Sequence, residues 1–143
     1  MGKVTDDDEA LREILTAART IAVVGFSRSP EKDSHSVARY LMEQGYDIIP
    51  VNPAVQEVLG RRSFPELAAV GQAVDVVQVF RPAAAAPEIV EQAIRAGART
   101  VWMQLGIRHD EAAARAAGAC LTVVMDRCMR AEHRRLLGDP AGA

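Results

Sequence analysis

One stretch of the sequence brings together small, hydroxyl-bearing and basic residues, the types that bind phosphate groups. Residues 23–36 read VVGFSRSPEKDSHS, between an apolar run that predicts a strand and an amphipathic run that predicts a helix. A glycine lets a ligand approach the backbone closely, and the free N–H groups at a helix start attract anions. The loop predicts a phosphate site, although an ordinary strand–helix turn capped by Ser34 also fits. The candidate residues are Gly25, Ser27, Arg28, Lys32 and Ser34.

Polar and small residues also follow four later apolar runs, each of which predicts a buried strand. In a parallel α/β sheet, ligands sit beyond the carboxyl ends of the strands, so these segments are expected to meet the first loop. Arg81 could contact a phosphate or a base there, or it could form a structural ion pair. The residues concerned are Asn52 and Pro53, then Phe80, Arg81 and Pro82, then Gln104, Leu105 and Gly106, and finally Asp126 and Cys128.

The type of nucleotide is constrained by what the first two loops contain. A dinucleotide-binding loop usually carries three spaced glycines, whereas this loop has Gly25 alone. After the second predicted strand such proteins place an acid for the ribose, whereas this chain has Asn52 and no acid before Glu57. Both differences argue against an NAD-type ligand.

The two cysteines differ in their predicted surroundings. Cys120 falls in the last predicted strand, residues 120–124, and is expected to be inert packing. Cys128 falls at the start of the last predicted helix, near Arg127 and Arg130, where a positive environment favours a reactive thiolate. Inert structure and a reactive thiol both remain open for Cys128. Asp126 is expected to cap the same helix.

The elements that position these residues follow from hydrophobic patterning. Strands are predicted at 21–24, 47–51, 74–80, 100–103 and 120–124, with helices between them and a short helix at 64–70 capped by Ser63. Thr5 or Asp6 is expected to cap a first helix at about 6–18, and Asp110 a later one. Alternating strands and helices predict α/β architecture: a single doubly wound Rossmann-like domain over 1–143, with a five-stranded, mainly parallel sheet. Its core spans about 19–137, followed by a frayed tail at 138–143.

Composition narrows the classes of partner and compartment. The chain has 143 residues and a formal net charge of -2, so no overall charge attracts nucleic acid. No apolar run reaches the roughly 20 residues that span a bilayer, and no secretory signal is visible. Two cysteines fit neither a disulfide framework nor a metal motif, so a reducing cytoplasm is the expected compartment.

Four pieces of the sequence, taken together and in order, resemble the CoA-binding domain family, in particular its small stand-alone YccU-like members. The pieces are TIAVVGFSRSPEKDSHSVARYLMEQGYDIIPVNP, VDVVQVFRP, VWMQLGI and VVMDRCMRAEHRRL, which together cover about residues 18–137. The same pattern is similar to the N-terminal domain of the succinyl-CoA synthetase α subunit. The resemblance implies that the single-glycine loop holds the ADP part of coenzyme A.

The resemblance also implies a role for each segment. It places Gly25 to Arg28, including Phe26, around the diphosphate, with Lys32 and Ser34 at the helix side. It places Asn52 and Pro53 beside the adenosine, Phe80 to Pro82 against the nucleotide, and Gln104 to Gly106 beside the pantetheine arm. One departure is that Ala54 and Val55 follow Pro53, where the synthetase-type domain tends to have a lysine. Phosphate contact is then expected to depend more on Arg28, Lys32 or Arg81.

The sequence favours a CoA or acyl-CoA binding or regulatory module over a complete enzyme. The synthetase needs a further domain with a phosphorylated histidine, and none of His35, His109 and His133 has the surroundings of that residue. The alternatives are a CoA-dependent transferase or thioesterase using Asp126, Cys128 or His133, and a less favoured NAD-type binder. A homodimer or an unknown protein partner is left open.

Overall fold

The structure is a computed structural model that describes residues 2–138. The predicted tail at 138–143 lies outside the described residues except for Gly138. The strands and helices, in chain order, are β1 (Lys3–Val4), α1 (Asp8–Ala17), β2 (Thr20–Val24), α2 (Asp33–Glu43), β3 (Asp47–Val51), β4 (Glu57–Val58), β5 (Arg61–Arg62), β6 (Val76–Val79), α3 (Ala86–Arg95), β7 (Thr100–Met103), α4 (Asp110–Gly118), β8 (Thr122–Val124) and α5 (Met129–Leu137).

Six of the strands form one parallel sheet in the order β1-β8-β7-β6-β2-β3. The predicted Rossmann-like α/β fold is confirmed, and the predicted count of five strands is one too low. The missed strand is β1, which pairs Lys3 with Thr122 and Val4 with Val123 at the sheet edge. Its two residues are exposed, so no apolar run marks it in the sequence.

The order in which successive strands are added to the sheet reverses next to β2. From β2 the chain passes through α2 to β3 on one side, and β6 then joins β2 from the other side. Such a switch point leaves a crevice at the carboxyl ends of the two diverging strands. By this rule we expect the crevice between the loop after β2 and the loop after β6.

Two apolar layers cover the faces of the sheet. On one face, α3 and α4 pack with small side chains such as Ala93 and Ala116. On the other, α1, α2 and α5 cover a layer that includes the fully buried Phe26 and Trp102. Because both faces are covered, the central strands are mostly apolar, with the buried Gln78 of β6 as an exception, and their sequence signal is strong. Among residues 2–138, no helix has the length and apolar character needed to cross a membrane.

Three predicted helix caps are wrong. The Ala10 N–H donates to Asp7 Oδ2 at 3.1 Å, so Asp7 caps α1 rather than Thr5 or Asp6. The Ala112 N–H donates to His109 Nδ1 at 3.0 Å, one residue before the predicted Asp110. Asp126 does not cap α5, whose N-cap position is Cys128. These helices begin one or two residues from their expected starts, and neighbouring polar residues compete as caps.

Two further local predictions are wrong. Cys120 is exposed, with a left-handed φ of 73°, because the turn after α4 continues to Leu121 and β8 begins only at Thr122. The predicted helix at 64–70 is a short 3₁₀ turn at Leu67–Val70. Ser63 does not cap it, and its hydroxyl instead donates to the Asn52 carbonyl at 3.2 Å.

Candidate functional site

The loop after β2 turns sharply at Gly25, which has a φ of 94°. A Cβ atom at this position would lie 3.0 Å from the Phe80 carbonyl oxygen and 3.2 Å from Arg81 Cδ. The glycine therefore does more than expose backbone to a ligand, since it also lets the loops after β2 and β6 touch. This contact forms the floor of the crevice at the switch point.

Hydrogen bonds from α2 fix the shape of the loop. The Ser27 N–H donates to Ser34 Oγ at 2.9 Å, and the Ser29 N–H donates to Ser27 Oγ at 3.1 Å. His35 Nδ1 lies 2.9 Å from the Ser27 carbonyl oxygen, which can only accept, so Nδ1 carries the proton. Ser34 thus anchors the loop, while the N-cap position of α2 belongs to Lys32. No anchoring role was predicted for His35.

Asn52 fastens the loop from the other side. Its Nδ2 donates to the Phe26 carbonyl at 2.8 Å, and its Oδ1 accepts from the Ala54 N–H at 2.9 Å. The Phe26 side chain is fully buried and meets the His35 ring edge-on, with centroids 5.7 Å apart. Phe26 therefore contributes its backbone to the site, and its ring belongs to the core.

Three cationic residues of these loops and of the α2 start are exposed: Arg28, Lys32 and Arg81. None of them forms an ion pair with a carboxylate within the described part of the chain. The alternative that Arg81 serves a structural ion pair has no support among residues 2–138. Unpaired cations at a glycine turn and a helix N-terminus create a local field suited to a polyanion.

A fourth cation reaches the site from an element that was not predicted. Strands β4 and β5 form an antiparallel hairpin that places Arg62 over the Phe64 ring, 5.0 Å from its centroid. Arg62 lines a cavity of about 370 Å³ together with Asn52 and Pro53. The hairpin thus supplies a positive charge near the turn where Ala54 and Val55 replace the expected lysine. Its strands of two residues each are too short to show a periodic pattern.

The loop after β7 has an inward and an outward part. Gln104 is buried, and its Oε1 accepts from Gln78 Nε2 and from the Met129 N–H, both at 3.2 Å. Leu105 is 66% exposed, although it is apolar. The Gly106 N–H donates to Asp126 Oδ1 at 2.7 Å. Gln104 and Gly106 therefore hold the loop against the start of α5, and Leu105 is the side chain it presents outward.

A groove of about 510 Å³ lies beyond the ends of β7, β8 and β1. Leu105, Asp126 and Cys128 all line it. His133 does not join them, because it is buried on α5, where its Nδ1 lies 2.8 Å from the Tyr40 hydroxyl. The structure thus brings together two of the three residues proposed for the enzyme alternative.

The predicted positions separate into three groups around one edge of the sheet. The first surrounds the crevice at Gly25, the second lies at the hairpin cavity, and the third lies at the groove. Pro53 and Pro82 are exposed where their loops turn, and Leu105 and Cys128 stand at the groove. The parallel sheet with its switch point beside β2 defines the class of protein as a Rossmann-like fold. The loop anchors and the unpaired cations at the switch point are features suited to a nucleotide.

Comparison with known proteins identifies the family. Residues 19–134 match the family described as a CoA binding domain, and the chain belongs to that family. The chain is 36% identical over 123 residues to the uncharacterized protein YneT of Bacillus subtilis, which covers 86% of this chain and 91% of YneT. The stand-alone YccU-like resemblance is therefore confirmed at the level of the family.

Solved structures show the same fold. A hypothetical protein from Pyrococcus horikoshii OT3 superposes with a TM-score of 0.90 and 46% identity, over 92% of this chain and 93% of that one. A dinucleotide forming acetyl-coenzyme A synthetase from Ca. Korarchaeum cryptofilum gives a TM-score of 0.66 at 23% identity, over 75% of this chain and 26% of the synthetase. The second likeness concerns the fold alone.

Proposed function

We propose that this protein binds coenzyme A or acyl-CoA, with the diphosphate at the crevice between the loops after β2 and β6. The observation that carries the proposal is the contact of Gly25 with Phe80 and Arg81, which builds an anion-suited crevice at the switch point. Membership of the CoA-binding family supports coenzyme A as the ligand. The acetyl-CoA synthetase that shares the fold supports the same ligand class by analogy.

The diphosphate would receive backbone N–H groups from the loop after Gly25 and from the first turn of α2. Ser34 and His35 hold that loop in place before a ligand arrives, so little ordering is needed on binding. Arg28, Lys32 and Arg81 would neutralise the phosphate charge from three sides. An arginine contributes a planar set of donors, which suits phosphate oxygens.

The adenosine end would lie toward the cavity of about 370 Å³ beside Asn52 and Pro53. Arg62 adds a guanidinium there and could stack on the base or meet a phosphate oxygen. The pantetheine arm would run along the loop after β7 toward Leu105 and the groove. This path places the ligand's sulfur end nearest to Cys128.

The groups around the groove support our proposal of a non-catalytic or regulatory role. Asp126 accepts a hydrogen bond from the Gly106 N–H, so its carboxylate is engaged in holding the loop. Cys128 and Asp126 have no histidine beside them in the groove lining, because His133 lies between α5 and α2. Two carboxylates of the groove are held in structural contacts, Asp126 by the Gly106 N–H and Glu132 by Arg127 and Arg135, which supports holding a thioester over cleaving one.

Titration calorimetry with CoA, NAD and ATP tests the proposal. We expect CoA to bind, and Arg28→Ala and Arg81→Ala each to weaken it by about 1–3 kcal/mol, the scale of a charge-assisted hydrogen bond. Arg95→Ala is the matched control, because Arg95 is an exposed arginine at the end of α3, which packs on the other face of the sheet from α2. Absence of CoA binding, or equal losses in all three variants, would show that the crevice is not the site.

A further inference from the structure

Four arginines lie on or just before helix α5: Arg127 precedes its N-cap Cys128, and Arg130, Arg134 and Arg135 lie on the helix. They fall into two pairs with opposite surroundings. Arg127 and Arg135 are neutralised: Arg127 lies 3.5 Å from Glu132, and Arg135 lies 2.7 Å from Asp8 and also contacts Glu132. Hydrogen bonds from Arg135 hold the pKa of Asp8 below its usual value. These contacts tie α5 to the start of α1 and have a plain structural purpose.

Arg130 and Arg134 lack such partners. Within residues 2–138, no carboxylate oxygen lies within 4.0 Å of either guanidinium. The two residues are four positions apart, so they project from one helix face, where like charges repel and destabilise a helix. The two charges without a carboxylate partner therefore give this face of α5 a positive potential that would attract an anion.

Both guanidiniums are held in place beside a concavity between α2 and α5. Arg130 Nη1 donates to Ser36 Oγ at 3.4 Å, and Arg134 stacks over the Tyr40 ring, 4.7 Å from its centroid. The concavity has a volume of about 250 Å³, and Arg39 also lines it. Arg39 pairs only with Glu43, at 3.7 Å, and both side chains are more than 60% exposed, so a ligand can displace this weak ion pair.

The geometry points to a second anion site, the arginine pocket, formed by Arg39, Arg130 and Arg134 with Ser36 and His35. The pocket is lined by three guanidiniums and one hydroxyl but by a single carboxylate, so its charge suits a compact dianion. A volume of about 250 Å³ is below that of ordinary small-molecule sites, so it fits a phosphate monoester group rather than a whole cofactor. The pocket does not depend on the CoA proposal.

The arginine pocket is connected to the crevice loop through His35. This residue is 7% exposed, lines the pocket, and donates from Nδ1 to the Ser27 carbonyl at 2.9 Å. The pocket and the crevice loop thus meet at the first turn of α2. The phosphate monoester can come from two sources: the 3′-phosphate of CoA itself, which requires the adenosine to lie toward α2 and α5 instead of the cavity beside Asn52, or a separate phosphate-bearing molecule.

Titration with inorganic phosphate tests the site, with amide chemical shifts followed by NMR at constant ionic strength set with sodium chloride. We expect saturable shifts at Ser36, Arg130 and Arg134. The Arg130→Ala/Arg134→Ala variant should lose about tenfold or more in phosphate affinity, while Arg95→Ala stays within about twofold of wild type. Arg130→Lys/Arg134→Lys keeps both charges and should retain most of the affinity, which separates loss of charge from loss of fold. Non-saturable shifts, or equal affinity in the alanine variant, would overturn the site.

A comparison of CoA with dephospho-CoA identifies the source of the phosphate. If the pocket takes the 3′-phosphate, wild type should prefer CoA by about tenfold, and the alanine variant should lose that preference alone. If it takes a separate molecule, inorganic phosphate should still bind when CoA is saturating. Failure of both CoA and dephospho-CoA to bind would refute the proposed function and leave the phosphate titration as an independent result.

Discussion

The Ser34 hydroxyl accepts a hydrogen bond from the backbone N–H of Ser27 at 2.9 Å, and so closes the loop after β2 onto the helix that follows it. Ser34 is 6% exposed, so the bond is shielded from water. The loop is shaped from within by this bond and by the bond from His35 to the Ser27 carbonyl. Its form in the absence of ligand is therefore already the form that we propose binds a diphosphate.

Replacement of Ser34 should weaken CoA binding without a direct ligand contact being removed. Ser34→Ala leaves the partly buried Ser27 N–H without its acceptor, which costs about 1–3 kcal/mol and loosens the loop. We expect a CoA affinity several-fold to a hundredfold lower by calorimetry. Thr16→Ala removes an exposed hydroxyl on α1 and should leave the affinity unchanged. Equal binding by Ser34→Ala and wild type would show that the loop needs no anchor.

Gly25 and Gly45 form a natural pair for separating backbone strain from steric contact. Both have positive φ, 94° and 101°, but a Cβ at Gly45 meets nothing within 4 Å, whereas one at Gly25 meets the Phe80 carbonyl at 3.0 Å. Each alanine variant should lose about 1–2 kcal/mol of unfolding free energy from the left-handed backbone. Gly25→Ala should lose about 1–3 kcal/mol more because the β6 loop must shift.

Urea denaturation of both alanine variants measures these losses, and calorimetry measures their CoA affinity. We expect Gly25→Ala to bind CoA more weakly and Gly45→Ala to bind it as wild type does. If the two variants are equally stable, the contact between the loops after β2 and β6 carries no energy.

Cys128 should be open to thiol–disulfide exchange if the pantetheine arm follows the proposed path. Its thiolate would attack the disulfide of oxidised CoA, forming a Cys128–CoA mixed disulfide and releasing one CoA thiolate. Intact-mass spectrometry should then show one CoA adduct that a reductant removes, and Cys128→Ser should abolish it. Cys120, which is exposed whereas Cys128 is half-buried, serves as the internal control because it lies beyond α4 and outside the groove. Adducts formed equally at both cysteines would indicate simple exposure.

Tyr46 should make the stability of the fold depend on alkaline pH. Burial raises the pKa of Tyr46 to about 12, and its hydroxyl donates to the Leu15 carbonyl. The folded state therefore holds the phenol proton more tightly than the unfolded state does. This contribution is fully present below about pH 10 and is lost as the pH rises through about 12.

Denaturation midpoints measured from pH 8 to 12 should fall in wild type, and the fall should be smaller in Tyr46→Phe, which has no phenol to ionise. Identical pH profiles for the two proteins would mean that the Tyr46 hydroxyl is accessible to water in the folded state.

The parts of the fold that the sequence predicted are those with a strong local signal. The run from Ile21 to Val24 is apolar because β2 is covered on both faces, and Gly45 and Gly97 end their helices at positive φ. The strand β1 and the hairpin β4–β5 have two residues per strand, so they are defined by pairing with distant or turn-linked partners. No window of the sequence contains that information.

The candidate site, too, has some features that the sequence could predict and others that depend on tertiary packing. The expected position of the crevice follows from the order of strands and helices, because the switch-point rule needs topology alone, and it stays a prediction. The roles of individual side chains did not follow. Asn52 and Ser34 form hydrogen bonds with backbone groups of the loop, and Phe26 lies in the core. The direction in which each of these side chains points depends on packing across the sheet edge. Arg62 was missed because the hairpin that carries it was missed.

The residues before residue 19, where the family match begins, cover one edge of the sheet. β1 pairs with β8, and α1 buries Leu11 and Leu15 against the layer beneath α2 and α5. A shortened chain that began at Arg19 would leave the edge of β8 that faces β1 unpaired and uncover that apolar layer. An unprotected sheet edge of this kind can pair with strands of other molecules. A chain shortened to the residues of the family match is therefore expected to aggregate.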